Sequence, residues 1–226
     1  MTPVAWWSHA GAADLAALPA LAVQQWFRPL AWGVVVAWLL LQALQWWQAR
    51  RGATVSGQTV LGVLALVVGS MVLPGGASAA YWLGLAFQQP SLASVVLCGG
   101  SMLQMLRKRA SSEPNHAWQM TVAVVAVVLG WVLLLDSFAL FGPSIYAWGF
   151  SPAAVLALAM AACLPWLVAS TSQAPLLRWG LPLLVLTFVA TRLPTGNVWD
   201  AVLDPWLWGA AHLACLHAIF RGRRRR

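Results

Sequence analysis

The sequence predicts an all-α fold: a polytopic integral membrane bundle of about seven transmembrane helices, with its N-terminus outside and its C-terminus inside. Three observations predict it. The 226 residues are 61% hydrophobic and only 8% charged, with a mean hydropathy of +0.76, where a soluble domain carries about 25% charged residues. Apolar runs recur along the chain between short polar or Pro/Gly-rich breaks. The basic residues gather in clusters, and each cluster follows an apolar run. The composition alone excludes a water-soluble globule, a disordered chain and a disulfide-rich secreted scaffold.

Residues 13–27 are apolar but contain Pro19 and end in Gln24-Gln25-Trp26, which reads as an interfacial helix on the outer face. A span needs about 20 residues to cross ~30 Å of hydrocarbon. The first is 30–47, closed by Arg50 and Arg51. The second, 58–73, stops at Pro74-Gly75-Gly76, where proline lacks the amide a helix would use. The third, 90–106, ends at Arg107-Lys108-Arg109, and the fourth, 118–135, ends at Asp136. Residues 151–168, 179–190 and 206–220 complete the set, the last running into the terminal arginines. Flanking tryptophans lengthen the shorter runs into the headgroup region. The whole chain is then one membrane domain: an outer segment (1–28), the bundle (29–220) and a basic cytoplasmic tail (221–226).

Orientation follows from the Lys and Arg count, because cationic loops resist translocation. Of the 13 such residues, Arg50, Arg51, Arg107, Lys108, Arg109, Arg178, Arg221 and Arg223 to Arg226 fall on one side, leaving only Arg28 and Arg192 on the other. The larger group marks the cytoplasm. Asp14, Asp136, Asp200 and Asp204 lie outside, and Glu113 inside. The basic clusters have no aromatic-basic groove beside them, so the net charge of +8 indicates anionic lipid and not nucleic acid. Three outer connections, 75–89, 136–150 and 193–205, exceed a tight turn, so the elaborated face is extracytoplasmic. The first two carry aromatic residues suited to short surface helices.

Cys98, Cys163 and Cys215 sit singly in apolar runs and form no disulfide framework. Among the 16 tryptophans, Trp26, Trp46, Trp47, Trp82, Trp148, Trp179, Trp199 and Trp206 fall near span ends, as an aromatic belt requires. Trp38 and Trp131 lie deeper. His212 and His217 share the last span but stand about 140° apart around a helix, so they do not converge on a metal. Trp208, His212 and Cys215 share one stripe, and His212 there needs a hydrogen-bond partner. No other span holds a histidine, which excludes an intramolecular bis-histidine haem. The expectation is no cofactor and no metal.

The remaining chemistry belongs to Asp136, Arg192, Asp200 and Asp204 at the outer rim, where Arg192 is placed to pair with a carboxylate. Together with His212 these form the candidate substrate or ion pathway. No HExxH, GxGD or GxSG signature occurs, nor any P-loop or dinucleotide fingerprint, which argues against an enzyme. The single lysine lies in a cytoplasmic loop, which excludes a retinal Schiff base. The leading expectation is a non-catalytic subunit or assembly factor of a bacterial inner membrane, embedded in lipid and packed against partner membrane proteins or its own copies. A small transporter or channel-like protein using the outer-rim cluster is the alternative, and an enzyme acting on a lipid-linked substrate the second. Small residues at Gly62, Ala65 and Gly69 suggest close helix packing along the second span.

Overall fold

A computed structural model describes residues 18–107, 116–140, 142, 144–168 and 175–224. Asp14, Glu113, Lys108, Arg109 and His9, with the first part of the expected interfacial helix, lie outside the described residues.

The described chain is all-helical. Helix α1 is Leu21–Ala49, α2 Gly57–Met71, α3 Ala79–Ala86, α4 Leu92–Leu106 and α5 His116–Ser137. They are followed by α6 Ile145–Trp148, α7 Pro152–Val168, α8 Pro175–Thr191, α9 Val198–Val202 and α10 Pro205–Arg224. Each of the seven expected apolar runs forms one long helix, and each expected outer connection carries one short one. Side chains that compete with the backbone for hydrogen bonds start them. Ser56, Ser91, Ser144, Ser151 and Asn197 each accept a backbone amide two or three residues ahead, satisfying a donor the first turn would orphan.

One expectation about the ends is corrected. The interfacial helix is not separate from the first span, because α1 runs unbroken for 29 residues with Pro29 inside it. One missing amide is tolerated within so long an apolar helix. At the other end, α10 continues through the first of the terminal arginines to Arg224. By length and composition, two helical stretches suffice to cross a membrane, Leu21–Ala49 and Gln119–Ser137. Gly57–Met71, Leu92–Leu106, Pro152–Leu164 and Arg178–Thr191 are apolar but shorter. Seven full-length spans are therefore not what the helix lengths alone deliver.

Helices α2, α1, α4, α8 and α7 pack in that sequence, each against the next, while α5 and α10 pack mainly on one another. Two apolar clusters hold the row. One joins Trp32, Ala37 and Leu41 of α1 to Val60, Val67 and Met71 of α2, Ala80 of α3 and Met102 of α4. The other joins Leu92 and Ala93 of α4 to Ala154 of α7, Leu184 and Phe188 of α8, and Val198 and Ala201 of α9. The small-residue stripe of α2 is not its packing face: a Cβ at Gly62 or Gly69 would meet nothing within 4 Å. Close approach occurs instead at Gly33 of α1, where a Cβ would stand 2.8 Å from a Val68 methyl. Outside these clusters the helices carry large exposed apolar side chains, among them Leu66, Val125, Val128, Leu156, Leu186 and Leu213.

Hydrogen bonds fix which helix ends lie together. Gln24 near the start of α1 donates through Nε2 to the Pro194 carbonyl beyond α8 at 3.0 Å. Asp204 before α10 bonds Ser91 before α4, and Asp136 near the end of α5 bonds the start of α6. All of these belong to one end of the molecule, with α3, α6 and α9. Arg50, Arg51, Arg107 and Arg221 sit at the opposite ends of α1, α4 and α10.

Candidate site at the capped end

Asp204, 6% exposed, stands just before α10 and works on two helices at once. Its Oδ1 accepts the Leu207 amide at 2.7 Å, capping α10. Its Oδ2 accepts the amide of Ser91, the N-cap of α4, at 2.7 Å and the hydroxyl of Ser94, in its first turn, at 2.6 Å. A carboxylate is favoured there because the N-terminal peptide dipoles of both helices point their positive ends at it. The consequence is mechanical: one side chain ties the start of α10 to the start of α4.

Asp136 and Asp200 meet across Tyr146. Asp136, 8% exposed, accepts the Tyr146 amide at 2.8 Å and the Ser144 hydroxyl at 3.4 Å through Oδ2. The phenol of Tyr146 donates to Asp200 Oδ2 at 2.8 Å, and Thr195 Oγ1 donates to the same oxygen. The phenol's pKa is raised, first by burial, then by the hydrogen bond to Asp200 and that carboxylate's negative charge, with an opposing contribution from Asn197. Asn197, fully buried, donates to the Tyr146 carbonyl at 3.0 Å and accepts the Trp199 amide at 2.9 Å. The Trp199 indole in turn donates to the Ile145 carbonyl at 2.9 Å. Gly149 admits this arrangement, because a Cβ there would collide with the Asn197 amide and the Trp199 ring. Short helices α6 and α9 are thereby locked face to face.

Beside this lock is a half-open cavity of about 480 Å³, lined by Gln24, Gln88, Gln89, Tyr146, Pro194, Thr195, Asp200 and Leu203.

Arg192 does not pair with any of the three carboxylates. Its guanidinium lies over the Phe188 ring, 5.5 Å from the centroid. Its backbone, at φ 58°, ends α8, and its carbonyl accepts the Gly196 amide at 2.7 Å. The chain beyond this left-handed turn reaches Asp200 through Thr195, but the guanidinium stays over Phe188, and the expected ion pair does not form.

His212 lies about 12 Å along α10 from Asp204, eight residues at 1.5 Å each, and is no part of the acidic cluster. Its Nδ1 bonds the Trp208 carbonyl at 2.9 Å and its Nε2 accepts from the Trp131 indole at 3.2 Å. The pair fits a neutral ring that donates from Nδ1. Trp131, Trp208 and His212 pack edge to face with centroids 4.8 to 6.3 Å apart. Trp208 also donates to the Val127 carbonyl at 3.2 Å, and its ring fills the space a Cβ at Gly130 would take. This is the seam between α5 and α10.

At the arginine end, the guanidinium of Arg50 lies 3.6 Å from the Trp46 ring centroid and that of Arg51 3.7 Å from Trp47. Both indoles are exposed, as are Trp26, Trp82, Trp179 and Trp206, which suits a belt. Trp199 does not belong to it, being spent on the α6–α9 lock. Among the described residues, no group of three or more His, Cys, Asp or Glu side chains is placed to hold a metal. Cys98, Cys163 and Cys215 are all free thiols.

Sequence reasoning singled out the acids but not their partners. Tyr146, Asn197, Ser91, Ser94, Gly130, Gly149 and Gln89 gave little separate signal, although Pro90-Ser91 before an apolar run is a readable helix start. No family model, curated protein or solved structure matches the chain.

Proposed function

We propose that this chain is a non-catalytic, multi-span protein of a bacterial inner membrane, serving as a structural subunit or accessory factor for partner membrane proteins. One observation carries the reading. The groups with the chemistry for transport or catalysis are committed to holding helices: Asp204 to three donors, Asp136 to α6, Asp200 to Tyr146 and Thr195, and His212 to both faces of the α5–α10 seam. A proton or ion relay needs acids free to change partners along a path through the molecule. Here they brace one end. The exposed apolar faces of α1, α5, α7 and α10 suit lipid and neighbouring helices, and paired Arg and Trp at the other end suit a headgroup layer. The shorter helices then sit within a locally thinned or tilted arrangement, with α3, α6 and α9 covering the outer surface.

The test is purification of the full chain in mild detergent, with cross-linking and mass spectrometry. The expected result is a complex with one defined membrane protein, or a homo-oligomer, whose cross-links fall beside α5 or α7. A solitary chain that drives solute flux in reconstituted vesicles, with flux abolished by Asp200→Asn, would overturn the proposal in favour of transport.

A further inference from the structure

The half of α1 that runs to the arginine end carries an ordered strip of side chains that no helix-bracing bond uses. Ala37 and Leu41 turn inward and are fully buried in the cluster with α2 and α4. On the opposite side Leu39 and Leu40 are exposed, followed by Ala43, the indoles of Trp46 and Trp47, and then Arg50 and Arg51. Spacings of three and four residues keep them on one face. Along the axis this face passes from aliphatic to aromatic to cationic. From Leu39 to Arg50 it spans about 16 Å at ~1.5 Å per residue, close to half of the ~30 Å hydrocarbon core.

The cations at its end are held in place. The Arg50 guanidinium stands 3.6 Å from the Trp46 centroid and that of Arg51 3.7 Å from Trp47. One flat side of each guanidinium is spent on an indole, while its N–H edge meets no acceptor among the described residues. The described acids, Asp136, Asp200 and Asp204, all stand at the capped end. The negative end of the α1 dipole amounts to about half a charge, so it offsets only part of two full positive ones.

We infer that this face of α1 binds one anionic diacyl phospholipid. Its phosphate sits on Arg50 and Arg51, its glycerol region lies against Trp46 and Trp47, and an acyl chain follows Leu39 and Leu40. Guanidinium and phosphate pair through charge-assisted, bidentate hydrogen bonds, and the anionic leaflet is the one the basic loops face. The inference rests on the membrane reading above and adds to it: a headgroup layer needs only scattered cations, whereas this order selects one lipid by charge and length. A zwitterionic lipid brings an ammonium that cancels the attraction. An acidic protein segment would pair with the arginines but has no use for the leucines beyond them.

The experiment places the full chain in nanodiscs of equal parts phosphatidylglycerol and phosphatidylcholine with matched acyl chains. Native mass spectrometry then counts the lipids that stay bound. Wild type should retain phosphatidylglycerol, enriched about tenfold or more over phosphatidylcholine. Arg50→Gln with Arg51→Gln should remove most of that enrichment. Arg107→Gln with Arg221→Gln takes the same charge from the same end on other helices, and should leave enrichment within about twofold, since distant charges are screened. Trp46→Leu with Trp47→Leu keeps charge and apolarity but frees the guanidiniums, and should cost about threefold. All of these side chains are exposed, so the variants keep the fold. Retention in the mixing ratio by wild type, or equal losses in the two arginine pairs, overturns the inference and leaves the membrane reading standing. An acidic protein that co-purifies with wild type and is lost from Arg50→Gln/Arg51→Gln, with lipid retention unchanged, assigns the face to that partner and overturns the lipid. A chain that stays out of the nanodiscs overturns both readings.

Discussion

Asp204 accepts the backbone amide of Ser91 at 2.7 Å although 113 positions separate them. A single carboxylate thus serves as the first-turn acceptor for α4 and α10, and it joins the row of helices to the α5–α10 pair. Removing it leaves three donors unanswered, two of them buried. We expect Asp204→Ala to cost about 2–4 kcal/mol and Asp204→Asn less, since one acceptor oxygen survives. Thermal unfolding in detergent measures both. Equal midpoints for wild type and Asp204→Ala would show that the bridge holds nothing.

The seam between α5 and α10 depends on a glycine for room. A Cβ at Gly130 would enter the Trp208 ring, so Gly130→Ala forces the helices apart or the indole out of place. The expected loss is about 1–3 kcal/mol, as for other overpacked contacts. Trp208→Ala alone is also destabilising, yet in the double variant the two costs should sum to less than their total, because the clash is gone. Strict additivity would place the two residues out of contact.

Arg192 holds a backbone conformation that side chains disfavour, with its guanidinium outside the acidic cluster. Arg192→Gly should therefore keep or raise the unfolding midpoint, relieving about 0.5–1 kcal/mol of backbone strain. Arg192→Ala should leave the midpoint near wild type or slightly below. A sharp loss of stability in Arg192→Gly would mean that the charge braces the structure after all.

Tyr146 links pH to stability at the alkaline side. Burial and the Asp200 carboxylate raise its pKa in the folded state, so folding favours the protonated phenol. That contribution is present in full below the unfolded value of about 10 and is lost as pH climbs from there through the folded value. In an absorbance titration of phenolate, Tyr146→Phe should remove the latest-titrating step, and Asp200→Asn should move it to lower pH. A profile unaltered by Asp200→Asn would break the proposed link between the two side chains.

How much of this was legible from sequence differs by scale. Long helices were, because apolar runs and breaks such as Pro74-Gly75-Gly76 state where backbone can and cannot continue. The break inferred at Gln24-Gln25-Trp26 was not one: polar residues alone do not end a helix, and Gln24 is instead drawn to Pro194 from the far side of the fold. Asp136, Asp200 and Asp204 stood out as the few acids in an apolar chain, which is a compositional signal. Their partners are backbone amides, serines and a tyrosine brought together from distant segments, and such pairings leave no spacing to read. His212 was correctly marked as needing a partner, whereas Trp131 could be named only once α5 lay against α10. Gly130 and Gly149 matter for what approaches them, while Gly62 and Gly69, which looked alike in sequence, face open space.

The arrangement of helix ends makes the topology testable without knowing any ligand. Bonds at the capped end place the starts of α1, α4 and α10 together, so Arg107 and Arg221 lie at the far ends of helices that run in the same direction and Thr195 at the near one. With Cys98, Cys163 and Cys215 replaced by serine, single cysteines at 107, 195 and 221 can be labelled in sealed cells with an impermeant maleimide. The positive-inside bias predicts labelling at 195 alone, and labelling at 107 and 221 only after the membrane is opened. If 107 and 221 react from different sides, the helices cannot be threaded as the Asp204–Ser91 bridge requires. If all three react from outside, the fold survives but the bilayer does not enclose it, and the membrane reading fails on its own.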